Sequence, residues 1–211
     1  MKVAVLSESS GDEVGLSIIV GGILEHAVEN VPRPPLRSRG WPSVRGVLPS
    51  VIKQLHYHSD AQWLVVVVDS DESPVHRLEH VPADGAERGC RLCQLKRIAE
   101  RALLEVTDVP GRRPLKLALG VAVPAIEAWY CCGVDGRVTE AAWVTGLDSG
   151  HLPYTKNELK KAVYGTDRPS STLQEERARQ EAERLIAQGL LRRLQLDFPN
   201  TFGALGRDLT T

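Results

Sequence analysis

The chain lacks a long apolar run: its longest, Trp63 to Val68, falls far short of the ~20 residues that cross a bilayer. It also lacks a leader-like start. A short apolar stretch is cut off by Glu8, Asp12 and Glu13, so no secretory signal and no membrane association are expected. Net charge is nearly absent: 26 Lys+Arg face 27 Asp+Glu, for a formal charge of -1. That excludes a protein that coats nucleic acid by bulk electrostatics and leaves room only for a local basic patch. Lysine is scarce beside arginine, 7 against 19, and an Arg-rich set suits phosphate. Cysteine numbers only four. With no leader, thiols or metal ligands in a reducing, cytoplasmic setting are expected rather than disulfides. Internal repeats and low-complexity tracts are absent too.

What is present is the composition of an ordinary globular protein, 42% hydrophobic and 25% charged over 211 residues. Residues 2–6 read as a short buried strand. Ser10-Gly11-Asp12-Glu13 fits a capping box, followed by Leu16, Ile19, Val20, Ile23 and Leu24 at helical spacing. Gly15, Gly21 and Gly22 weaken that helix and suit close packing on a sheet. A Pro/Arg-rich loop covers residues 31–42, and a second amphipathic helix is expected from Ser43. Trp63 to Val68 is β-branched without alternation, as in a parallel strand buried on both faces. A helix carrying Leu92, Leu95, Ile98 and Ala99 follows, then a strand over Pro114 to Val121 and a short helix opened by Pro124. Beyond residue 138 the patterns are helical: Lys156 to Tyr164, stopped by Gly165; a helix opened by Thr172-Leu-Gln-Glu175 and ended by Gly189; and a last one after Phe198. The order predicts an α/β fold, a parallel sheet flanked by helices over 1–135, with a helical C-terminal extension over 136–211 packed on the same domain.

Four acids sit where such a sheet binds ligands, outside the carboxyl ends of its strands. Glu8 follows the first strand, Asp12 opens the next helix, and Asp69 and Asp71 end the most buried strand. Like charges gathered together raise one another's pKa or need neutralising. Carboxylate oxygens suit Mg²⁺ or Mn²⁺, which leave coordination positions for water and phosphate. Acids after strands also serve as plain loop and cap residues.

The pattern strand–Glu8-x3-Asp12–helix, then apolar strand–Asp69-x-Asp71, resembles the Toprim domain, shared by topoisomerases, bacterial primases, OLD-family nucleases and the small ribonuclease that matures 5S ribosomal RNA. The Glu127-Ala-Trp129 segment and the closing Pro199-Asn-Thr-Phe-Gly stretch resemble small bacterial Toprim-like proteins, several associated with defence against phage. The resemblance implies a Rossmann-like parallel sheet. It implies that Glu8 acts as general acid/base or metal ligand and that Asp69 and Asp71 bind Mg²⁺ during phosphodiester chemistry. Asp12 joins that catalytic set, and Glu127 is either a further ligand or a helix-start acid. Ser9 and Ser10 stand before Gly11 where many Toprim sequences place Gly directly after the first acid. Topoisomerases and primases need further domains, so hydrolysis of DNA or RNA is the expected activity. A non-catalytic binding or regulatory subunit of a larger complex is the alternative. A phosphatase with Asp69 as nucleophile is disfavoured, because its D-x-D belongs to a first strand.

Two more constellations stand out. His76-x3-His80 precedes Cys90-x2-Cys93, a Cys2His2 set able to hold Zn²⁺ and staple an irregular segment. Cys131 and Cys132 are alternative partners for that Cys pair, or all four are buried thiols. Arg33, Arg37, Arg39 and Arg45 cluster around Trp41, a mixture that can follow a phosphate backbone and stack a base. A solvated loop with Trp41 against the core is the plainer reading.

Overall fold

Strand β3 (Trp63–Asp69) is buried along its whole length, as its unbroken apolar run requires of a strand covered on both faces. The computed structural model describes residues 1–33, 40–76 and 89–210. β3 lies between β1 (Lys2–Leu6) and β4 (Lys116–Ala122), and β2 (Glu29–Asn30) adds an edge beyond β1. The order is β2-β1-β3-β4 and every pairing is parallel. Val3 pairs with Trp63 and Leu6 with Val66, while Trp63 pairs with Lys116 and Asp69 with Ala122. The carboxyl ends of β1, β3 and β4 therefore share one edge.

Helices α1 (Ser10–Leu24), α2 (Trp41–His58) and α3 (Arg91–Leu104) connect the strands. After β4 the chain is helical: α4 (Glu127–Tyr130), α5 (Glu140–Ser149), α6 (Lys156–Tyr164), α7 (Ser171–Ala187), α8 (Leu191–Asp197) and α9 (Phe202–Thr210). α9 packs on β4, and Phe202 meets Trp129 edge-on at 5.0 Å between ring centroids. One hydrophobic cluster runs from Val3 to Leu209, so the α/β sheet and the helical C-terminal region share a core.

The differences from the sequence reading are local. Ser9 rather than Ser10 caps α1, accepting from the Asp12 N–H at 3.2 Å. Glu13 does not close the box: its carboxylate accepts from the Ser7 N–H and pairs with Arg33. Ser170 rather than Thr172 caps α7. α2 starts at Trp41, with Pro42 in its first turn, where proline's missing N–H costs nothing. The glycines of α1 admit α7 and its neighbours rather than the sheet. A Cβ on Gly15 would run into the Tyr130 hydroxyl, and one on Gly22 would stand 2.9 Å from Ile186.

Candidate functional site

The carboxylates gather because three parallel strands deliver their ends together. Asp69 closes β3; its N–H donates to Glu8 Oε1 at 3.1 Å, which draws the residue after β1 onto β3. Asp69 Oδ1 accepts from the Ile126 N–H at 3.1 Å, joining β3 to the segment after β4. The chain then turns sharply at Asp71, whose φ of 48° is left-handed, a conformation Asp tolerates better than most residues. The Asp71 N–H donates to the Pro124 carbonyl at 2.9 Å.

Two cations bind this cluster. Lys156 Nζ donates to Asp69 Oδ2 at 2.6 Å and to Asp71 Oδ1 at 2.7 Å. Arg91 reaches Asp71 Oδ2 at 2.7 Å, the Asp69 carbonyl at 2.6 Å and Glu8 at 3.5 Å. Burial works to raise Asp71, but Lys156 and then Arg91 hold it below the usual carboxylate range. Burial works to lower Lys156, but Asp69 and Asp71 hold its pKa above the ordinary value.

The other acids are less well compensated. Burial first, then the Asp69 charge, pushes Glu8 up to about 7. The same two causes push Glu127 up to about 7. Asp12 is pushed well above its usual range by burial, then by Asp69 and Glu127. Glu127 is buried, and its Oε2 has no hydrogen-bond partner among the described residues. A buried carboxylate oxygen left without a donor is costly. The four acids read from the two strand ends thus stand together with Glu127.

A second group lies along the same edge. His76, on the loop after β3, brings Nδ1 to 3.4 Å from Cys93 Sγ and 3.7 Å from Cys90 Sγ at the start of α3. The three ligand atoms lie within 4.8 Å of one another, the one such group of metal-ligating atoms among the described residues. This buried group has the chemistry to hold a metal such as Zn²⁺. His80 lies outside the described residues. Cys131 and Cys132 are not its partners: Cys132 Sγ faces Asp197 at 3.7 Å, and burial pushes the two thiols up to about 12 and about 11.

The basic loop divides. Arg33 is turned inward, with Nε on the Val5 carbonyl at 2.8 Å and its guanidinium paired with Glu13. Its ion-pair partner comes from α1. Trp41 lies under the Arg91 guanidinium, 5.5 Å from ring centroid to Cζ. Arg45 is exposed on α2. Between α2 and α3 runs a groove of about 1040 Å³ whose walls include Trp41, Arg45, Arg97 and Arg101. Arg37 and Arg39 lie outside the described residues.

Sequence reasoning missed Lys156 and Arg91, the two residues that set the charge balance. Lys156 is 87 residues from Asp69 and only opens a helix capped by Thr155. Nothing local marks it. Arg91 carried a weak signal, its place directly after Cys90.

Compared with models of known families, with curated proteins and with solved structures, the chain gives no match. What the fold defines is an α/β protein with a four-stranded parallel sheet and a helical C-terminal region. No helix among the described residues is long and apolar enough to cross a membrane.

Proposed function

We propose that the chain is a Toprim-like, Mg²⁺- or Mn²⁺-dependent phosphodiester hydrolase acting on nucleic acid. The observation that carries this reading is the convergence of Glu8, Asp12, Asp69, Asp71 and Glu127 at one sheet edge, with Glu127 Oε2 buried and unpartnered among the described residues. The donor set is all oxygen, as a hard divalent ion requires. Glu8, Asp69 and Asp71, with Glu127 behind them, are the residues that would hold it. A bound ion would supply charge stabilisation at phosphoryl oxygens and an acidified water.

The chain's own groups do the rest. Glu8, titrating near neutrality, is poised to accept or return a proton. Arg91 and Lys156 suit phosphate oxygens once their carboxylates have another cation. The α2–α3 groove, with Arg45 and Arg101 on its walls and Trp41 beneath Arg91, offers a path for a phosphate backbone to the carboxylates. The resemblance of the Glu127-Ala128-Trp129 segment suggests phage defence as the setting.

One observation favours a second reading, a non-catalytic binding or regulatory subunit. Lys156 already satisfies both Asp69 and Asp71 at hydrogen-bond distance, as an internal structural cation would. Incubation of the purified chain with DNA and with RNA, each with Mg²⁺ or Mn²⁺, separates the two. Cleavage that needs the divalent ion and is lost in Glu8→Gln and Asp69→Asn supports hydrolysis. Cleavage equal in all three proteins, or absent from all, overturns it.

A further inference from the structure

We infer that His76, Cys90 and Cys93 form a Zn²⁺ site that ties the loop after β3 to the first turn of α3 and so sets the position of Arg91. The inference stands on the sulfur and nitrogen geometry and holds under either reading of the carboxylates.

The two sulfur–nitrogen distances are close to those across a tetrahedral ion. Zn–S bonds of about 2.3 Å and Zn–N bonds of about 2.0–2.1 Å separate sulfur from nitrogen by about 3.6 Å across a tetrahedral angle. His76 Nδ1 lies 3.4 Å from Cys93 Sγ and 3.7 Å from Cys90 Sγ. All three atoms fall within 4.8 Å of one another. Both cysteines are buried and neither is in a disulfide. Their Cys-x2-Cys spacing places one at the N-cap of α3 and the other one turn in. Cys90 as a side chain makes no capping hydrogen bond there, so a helix N-terminus with its positive end faces two sulfurs. On binding, each thiol loses its proton to solvent and its sulfur forms a bond to zinc, while the Nδ1 lone pair forms the third. No oxidant or reductant is needed.

The consequence for the carboxylate site follows from adjacency. Arg91 is the residue after Cys90, and its guanidinium touches Asp71, the Asp69 carbonyl and Trp41. His76 is five residues after Asp71 on the same loop. A metal joining His76 to Cys90 and Cys93 therefore closes a small ring that contains both members of the Arg91–Asp71 pair.

The test is metal analysis of the full chain, prepared without added metal and again after addition of Zn²⁺ and gel filtration. The expected content is about one zinc per chain, retained in Cys132→Ser and lost in Cys93→Ser. X-ray absorption on the unsubstituted zinc-loaded protein gives a readout that needs no variant to fold. The spectrum should fit two sulfurs at about 2.3 Å with nitrogen at about 2.0–2.1 Å. A chain that holds no zinc after addition, or whose zinc has only oxygen and nitrogen neighbours, overturns the site. Chelation should also change tryptophan fluorescence, and Trp41→Phe should abolish that change. Fluorescence indifferent to chelation would overturn the coupling to Arg91.

Discussion

The carboxylate cluster and the cysteine–histidine group occupy the same sheet edge, yet each meets its charge problem differently. The cluster gathers five carboxylates at the strand ends and then neutralises part of their charge with Lys156 and Arg91. What remains uncompensated shows as Glu8 and Glu127 pushed up to about 7. A hard cation entering there has to displace ammonium and guanidinium groups. The cysteine–histidine group instead brings two sulfurs and a ring nitrogen within 4.8 Å of one another. His76 Nδ1 stands 3.7 Å from Cys90 Sγ and 3.4 Å from Cys93 Sγ. One site is prepared electrostatically and contested, the other geometrically and ready. The first is suited to exchange ligands, the second to keep one.

The largest expected effect comes from breaking each site at its centre. Asp69 joins Glu8, the Ile126 N–H and Lys156. Asp69→Asn should lower the cleavage rate by about 10²-fold or more, the scale of a lost acid–base or metal-ligating group. His76→Ala should act in the opposite column: a lower melting temperature and lost zinc, with cleavage per folded molecule reduced far less. Initial rates and melting curves on both variants check the contrast. Equal rate losses would merge the two sites into one.

Next in size is a pH effect confined to the carboxylates. Glu127 ordinarily titrates near 4.5, and in the fold it is pushed up to about 7. The folded state therefore holds this proton more tightly than the unfolded chain. Below pH 4.5 the group is protonated in both states and costs nothing. As pH rises from 4.5 to 7 the folded chain must ionise a buried acid, so stability falls, by about 3 kcal/mol for a shift of this size, and then levels off. Glu8 adds in the same direction. Denaturant melts of metal-free protein at pH 5 and pH 8 measure this, and Glu127→Gln should flatten the difference. Added Mg²⁺ should restore stability at pH 8.

Lys156→Met separates the two readings of the cluster with a smaller change. Its side chain is about one-third exposed, so losing the ammonium should cost about 1–2 kcal/mol rather than the larger figure of a fully buried pair. If Lys156 stands in the place of a divalent ion, the variant should bind Mn²⁺ more tightly, as calorimetry can show. Unchanged Mn²⁺ binding would favour a purely structural lysine.

What was legible in the sequence follows from the range of the forces involved. β3 announces itself because a strand buried on both faces needs a continuous apolar run, and Asp69 and Asp71 stand out because they break it. The parallel sheet followed from helices between strands. β2 was not legible: two exposed residues, Glu29 and Asn30, have no alternation to display. The caps of α1 and α7 were misplaced by one and two residues, since neighbouring serines and threonines compete for the same N–H groups. The cysteine–histidine group was visible as spacing, but Lys156 was not, because its partners lie 85 and 87 residues away. Arg33 reads as part of the basic loop, and nothing in that loop announces its partner Glu13, twenty positions earlier on α1.

That contrast between arginines gives the smallest and most specific prediction. Arg101 is exposed on the wall of the α2–α3 groove, whereas Arg33 is half-buried, held by the Val5 carbonyl and Glu13. A nucleic acid lying in the groove releases roughly one counter-ion per phosphate contacted, so Arg101→Ala should reduce the salt slope of binding by about 1. The loss at low salt should be only several-fold. Arg33→Ala should leave that slope alone and lower the melting temperature, since it strands Glu13 and the Val5 carbonyl. Neither variant should change the zinc content, because the groove leads by Trp41 and Arg91 to the carboxylates and not to the sulfurs. Fluorescence anisotropy with a labelled oligonucleotide across a salt series reads the slope. An Arg101→Ala slope equal to that of the unsubstituted chain would remove the groove from the proposed substrate path without touching either proposed metal site.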